Sequence, residues 1–168
     1  TQISFITRFM LIILVLHSGF LNFFYKKFFE TKTKKFDLKI LKSYFFTLTL
    51  SGFLVIITYP LASSMLGLNY KIDLIFKLIF AYTFIWCVSA FFEQYLNKFY
   101  QNKYILFYSI ISLVLYILII VFLNQYEMLE RMCLAMLVSI TKYFILILSK
   151  SNSLLNKKKK KYSFNFNF

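Results

Sequence analysis

The chain holds very little of what interrupts a helix: three glycines and one proline in 168 residues. Tight turns are therefore scarce, and long unbroken helices are favoured. Charge is scarce too, at 15% of residues, and it is gathered between apolar runs instead of being spread along them. A soluble helical fold needs a polar face on every helix, so that class is excluded. With one histidine and six acidic residues, little general acid–base chemistry is available. No G-x-S-x-G, P-loop or H-E-x-x-H occurs, so the chain is not read as an enzyme and no catalytic residue is assigned. The two cysteines, Cys87 and Cys133, sit inside apolar runs with neither metal-site nor redox spacing. They read as small apolar packing residues, and no metal or cofactor is expected.

What is present is apolar. Hydrophobic residues make up 60% of the chain and the mean hydropathy is +0.70, where a soluble domain has roughly 45–50%. Five runs stand out: about 3–25, 43–66, 72–96, 104–123 and 132–149. Each is near the twenty residues or so that cross about 30 Å of hydrocarbon at 1.5 Å per residue. In lipid every backbone N–H and C=O must be bonded within its own segment, so the runs are expected to be helices. Membrane strands would alternate polar and apolar residues, and LVLYILIIVFL (113–123) does not. The expected fold class is all-α: a polytopic membrane bundle over 1–149, then a basic tail over 150–168, disordered at the membrane surface.

The net charge of +14 raises nucleic acid as a partner. The lysines are confined to segments between or after apolar runs, and no nucleic-acid module is recognisable, so a lipid bilayer is the expected partner instead. The longest basic segment, KKFFETKTKKFDLKILK (26–42), carries seven lysines against Glu30 and Asp37. Lys71 and Asp73 cancel in the next loop. Lys98 and Lys103 make the following one basic, and Glu127, Glu130 and Arg131 leave the fourth without lysine. Lys150 and the five lysines at 157–161 close the chain. Basic and neutral or acidic loops alternate in register. The positive-inside rule then puts 26–42, 97–103 and the tail inside, 67–71 and 124–131 outside, and the N-terminus outside. Without a signal peptide, that N-terminus is expected of a C-terminal piece preceded by at least one more helix.

Ionisable groups within membrane runs are functional candidates by default. Lys142 lies seven residues, about 10 Å, from the end of its run. It is read either as snorkelling or as facing a cavity, where it suits a phosphate-bearing substrate. Arg8 and Lys77 are read first as interfacial anchors, Lys77 with Asp73 four residues earlier as an ion-pair partner. His17, alone in run one, predicts a helix–helix hydrogen bond. Glu93 and Gln94 read as boundary residues. Pro60 removes one hydrogen bond from its helix and predicts a kink. Gly67 is placed for a left-handed C-cap, and Ala62, Ser63 and Ser64 allow close helix contact.

From run two onward the order of features resembles the C-terminal part of polysaccharide flippases. These are the O-antigen and capsule transporters of the polysaccharide biosynthesis protein family, within the MATE-like superfamily. A basic loop precedes a helix ending at MLGLNY (65–70), similar to that family's "lfG-x-x-Y". KLIFAYTFIWCVSAFFEQYLNKF (77–99) follows, then NKFYQNKY (97–104) and a fourth helix ending at NQY (124–126). The chain departs from the family's "yG-x-x-G-a-A" in having EMLERMCLAM after Tyr126. The resemblance covers about 40–145. It implies the last five of twelve helices, a bacterial inner-membrane location and alternating-access movement of a lipid-linked oligosaccharide. The partners implied are that lipid-linked oligosaccharide and the remaining N-terminal helices. In that setting Lys142, then Arg8 and Lys77, would hold the pyrophosphate. A second reading is a small structural subunit of an organellar or bacterial membrane complex, since the Phe, Tyr, Ile, Leu, Asn and Lys bias is that of an AT-rich genome. It needs no cavity and no upstream helices. A third, a transferase fragment, lacks a catalytic His or acid pair.

Overall fold

The computed structural model describes residues 2–30, 38–68, 70–97, 102–123 and 127–163. They form α1 (Gln2–Glu30), α2 (Leu38–Met65), α3 (Leu74–Asn97), α4 (Asn102–Phe122) and α5 (Met128–Ser163). No strand occurs among the described residues. Every helix contains a segment of 21 to 26 residues long and apolar enough to cross a membrane. At 1.5 Å per residue even the shortest reaches about 31 Å, the thickness of the hydrocarbon layer. The chain is an all-helical, multi-pass integral membrane protein.

The helices outrun the apolar runs. α1 continues to Glu30 and α2 begins at Leu38, so both enter the basic segment 26–42, of which 31–37 lie outside the described residues. Lysine is a good helix former and nothing at either edge breaks the backbone pattern. α5 starts at Met128, four residues before the apolar run, with Glu130 in its first turn, where a carboxylate suits the helix dipole. The same helix overturns the expectation of a disordered tail, because it runs through the lysines at 157–161 to Ser163. Cations near a helix C-terminus are favoured, and no glycine or proline stands after Gly67 to stop it. Residues 164–168 lie outside the described residues.

α3 is the hub. α1 packs against both α2 and α3, and α5 packs against both α3 and α4. One core, around Ile6, Met10, Ile13, Leu48 and Val55, fills the space among α1, α2 and α3. A smaller one joins Leu96 of α3 to Ile140, Tyr143 and Ile147 of α5. α2 meets α3 mainly through large rings, with Tyr44 stacked on Phe91 at 4.3 Å and Tyr59 against Phe76 at 4.4 Å. Gly52 is the exception: a Cβ there would lie 3.1 Å from Cζ of Phe80. α4 has no buried residue. Ile105, Tyr108 and Ser112, a stripe at helical spacing, turn to its neighbours. Leu106, Leu113, Val114, Ile117 and Val121 are exposed, as lipid-facing residues are.

The α2–α3 corner is closed by short-range chemistry. Gly67 adopts φ +66°, Leu68 N–H donates to Ser63 O and Gly67 N–H to Ser64 O. That is a Schellman cap, and it satisfies two end carbonyls of α2. Ser63 Oγ, buried, accepts from Tyr70 N–H at 2.6 Å. Asp73 then caps α3, accepting from Phe76 N–H at 2.8 Å. Its other oxygen accepts from Gln2 at 2.6 Å, which ties the start of α1 to the start of α3. Pro60 stands inside α2 on its exposed side, and the helix continues past it to Met65.

The two membrane glycines of α1 and α2 should behave oppositely. Gly52→Val drives a side chain into Phe80, costing about 1–3 kcal/mol, whereas a Cβ at Gly19 meets nothing within 4 Å. The unfolding midpoint in detergent should fall for Gly52→Val and move little for Gly19→Val. Equal losses would mean that α2 and α3 do not meet at Gly52.

Candidate functional site

A helix in hydrocarbon cannot leave a polar group to water. Most hydroxyls here are bonded within their own helix. Thr47 donates to Ser43 O, Thr58 to Leu54 O, Thr83 to Ile79 O, Ser89 to Ile85 O and Thr141 to Leu137 O, at 2.7 to 3.0 Å. These hydroxyls are neutral fittings of the fold. The groups that cross between helices are fewer, and they gather at two junctions.

The first joins α1, α2 and α3. Tyr44 Oη donates to the carbonyl of Cys87 at 2.7 Å, and its oxygen lies 2.8 Å from Nδ1 of His17. A phenol has one proton, and here it goes to the carbonyl. Nδ1 of His17 therefore donates to Tyr44, which leaves Nε2 as a lone-pair acceptor. All three residues are buried. Trp86 closes one side, edge-on to the imidazole with ring centroids 5.8 Å apart. The helix–helix bond expected of His17 is present. Its partner Tyr44 was not legible beforehand, since nothing in the sequence separates it from twelve other tyrosines.

The second junction joins α3, α5 and α4. Glu93 of α3 and Ser109 of α4 both lie close to the Tyr143 hydroxyl on α5. Ser109 donates its own proton to Ile105 O at 2.9 Å. Glu93 stands at the end of the α3 apolar span, as a boundary residue does, and is half-buried beside α5. One helical turn beyond Ile147, Lys150 lies 3.5 Å over the Tyr104 ring, a cation–π contact from α5 to α4. Ser112 also donates to Ser139 O at 2.9 Å, linking the same two helices.

The three candidate cations are not brought together. Arg8, Lys77 and Lys142 stand on α1, α3 and α5, and all three are exposed. Arg8 and Lys77 lie within two turns of the start of their helices. Lys142 lies 14 residues after Met128, which puts it about 12–17 Å deeper along the parallel axes. One pyrophosphate cannot span that depth. Lys77 also makes no ion pair with Asp73, whose two oxygens are taken by Phe76 N–H and Gln2. Its backbone N–H bonds Asp73 O instead.

Lys142 is the unusual one. It has nine residues to go to Ser151, the end of the apolar span, about 13 Å. Side chains on a helix lean toward its N-terminus, which for Lys142 is away from that nearer surface. Snorkelling is therefore working against its own Cα–Cβ direction. Val138, Lys142, Ile145 and Ser149 form one exposed stripe of α5 that no described helix covers. No group of three or more metal-ligating side chains occurs among the described residues.

No family model matches this chain, and neither a curated protein nor a solved structure matches it. The class is therefore fixed by the fold alone: a multi-pass helical membrane protein with two polar inter-helix junctions and one cation deep on an uncovered face.

Removing the Tyr44 hydroxyl should leave His17 without its partner. Tyr44→Phe is expected to cost about 1–2 kcal/mol and His17→Phe a similar amount. The double variant should cost clearly less than the sum, because both remove one bond. Additive losses of unfolding free energy would show that the two side chains are not coupled.

Proposed function

We propose that the chain is one helical lobe of a transporter that carries a lipid-linked oligosaccharide across a membrane, by alternating access against further helices. The observation that carries this reading is Lys142. A lysine at the bilayer centre costs about 2.5–3.5 kcal/mol even on the lenient insertion scale; Lys142 lies within the apolar span of α5, and its Cα–Cβ bond leans away from the nearer interface. That cost is met when the ammonium faces a water-filled or anionic site. A pyrophosphate linker is such a partner, attracted as a point charge in low-dielectric surroundings. The order of motifs from 40 to 145 supports the same reading, as does the alternation of basic loops, which favours the basic tail on the cytoplasmic side of a bacterial inner membrane.

The depth difference divides the roles of the three cations. Lys142 is the mid-membrane contact for the pyrophosphate. Arg8 and Lys77, near the Asp73 end, meet the same group only as it enters or leaves, or anchor the headgroup region. The exposed apolar face of α4 favours a second reading, a structural subunit whose α4 is packed in a larger complex. Such a subunit carries no substrate.

Vesicles containing the full-length protein and a fluorescent lipid-pyrophosphate oligosaccharide separate the two. Lys142→Ala should reduce translocation at least tenfold with the folded protein retained, and Lys142→Arg should restore much of it. Unchanged translocation in Lys142→Ala would remove the residue from the path. No translocation by the wild-type protein would favour the subunit reading.

A further inference from the structure

One end of the bundle collects lysine. α1 and α3 start together at the Gln2–Asp73 bond. α3 and α5 end together, with Leu96 packed against Tyr143 and Ile147, and Lys150 meets Tyr104 at the start of α4. That end carries eleven lysines among the described residues, five of them consecutive at 157–161, against Glu30 and Glu93. The opposite end carries Arg8, Lys71, Lys77 and Arg131 against Asp73, Glu127 and Glu130, which nearly cancel.

The run at 157–161 is helical and continuous with α5. The apolar span of that helix ends at Ser151. Lys157 and Lys161 lie six and ten residues further on, about 9 and 15 Å along the axis. The headgroup layer takes up about 5–8 Å of that distance. The run therefore stands just outside the headgroups, within about 10 Å of them, close to the Debye length of about 8 Å at physiological salt. Five consecutive positions exceed one turn, so lysine goes all the way round the helix. Such a helix has no apolar face with which to lie in the interface. It also opposes itself. Lys157 with Lys160 and Lys161, and Lys158 with Lys161, put like charges at helical spacing, and 151–163 holds no acidic residue.

We propose that this run binds anionic phospholipid headgroups, and that the contact keeps residues 152–163 helical. A basic cluster just beyond a spanning helix is attracted to an anionic leaflet, lysine by lysine. Phosphate oxygens beside the run offset the repulsion among its ammonium groups. Charge on every side of the helix suits a layer of headgroups that surrounds it. The other six lysines of the same end lie within three residues of the ends of their own spans. They draw the same lipids to the same leaflet, which favours lipid over a soluble polyanion. The inference does not depend on transport, because it rests on charge and helix length alone.

Hydrogen exchange of the amides of 153–163, read by mass spectrometry on the full-length protein, tests it. Nanodiscs of phosphatidylcholine alone are compared with nanodiscs of equal parts phosphatidylcholine and phosphatidylglycerol. Exchange should be about tenfold slower or more in the anionic discs. Salt at about 1 M, where the Debye length is about 3 Å, should remove most of that difference. Replacing all five lysines, Lys157→Gln to Lys161→Gln, should make exchange alike in the two discs, because a neutral run neither repels itself nor attracts the lipid. Equal exchange of the wild-type protein in the two discs would overturn the proposal, as would a difference that survives the five replacements. Polyuridylate or inorganic phosphate added to phosphatidylcholine discs should protect less than phosphatidylglycerol does. Equal or greater protection by either would assign the run to a soluble anion and overturn the lipid reading.

Discussion

Most of this structure answers to one constraint: inside hydrocarbon, a polar group must find its partner within the protein. Backbone groups are settled by five helices of spanning length. Hydroxyls are settled by the carbonyls one turn back. What cannot be settled within a helix becomes a link between helices. His17 and Tyr44 bind α1 and α2 to the Cys87 carbonyl of α3. Glu93, Tyr143 and Ser109 bring α3, α5 and α4 to a common point. Since apolar packing alone gives little direction in lipid, these junctions fix which helix lies against which, and α3 takes part in both.

The same constraint separates the residues that hold the bundle from those that face outward. The held tyrosines, Tyr44 and Tyr143, are buried at junctions. Gly52 lets Phe80 and Phe84 nest against α2, and the Gly67 cap with Asp73 turns the chain between α2 and α3 within a few residues. Lys142 belongs to neither group. It stands deep on a face that the described helices leave open, and the functional proposal follows from that placement. The uncovered surface of α4 is different in kind: from Ile110 to Phe122 its exposed residues are all apolar.

Much of the fold was legible in the sequence because membrane spans are written in length and hydropathy. All five runs became helices, Gly67 became the left-handed cap, and His17 found a neighbouring helix. The ends were less legible. Lysines mark the edge of the apolar layer but do not stop a helix, so α1, α2 and α5 extend into segments that read as loop or tail. The junction partners were hidden for another reason. In a chain with 13 tyrosines and 23 phenylalanines, with apolar residues on every face, helical periodicity does not single out Tyr44 or Tyr143. Only the packed structure shows which hydroxyl meets which partner. The ion pair read as possible between Asp73 and Lys77 is not formed; Asp73 caps α3 and holds Gln2 instead.

The central claim is that the bundle crosses the membrane, so that the α2–α3 corner and the α3–α4 connection lie on opposite sides. Single cysteines at Leu68 and Lys103 test it most directly, each exposed, with the buried Cys87 and Cys133 as the unreactive background. In sealed membranes an impermeant maleimide should label one of the two positions, and the other only after permeabilisation. Labelling of both from the same side would contradict the account, because α3 would then not be a membrane-spanning helix.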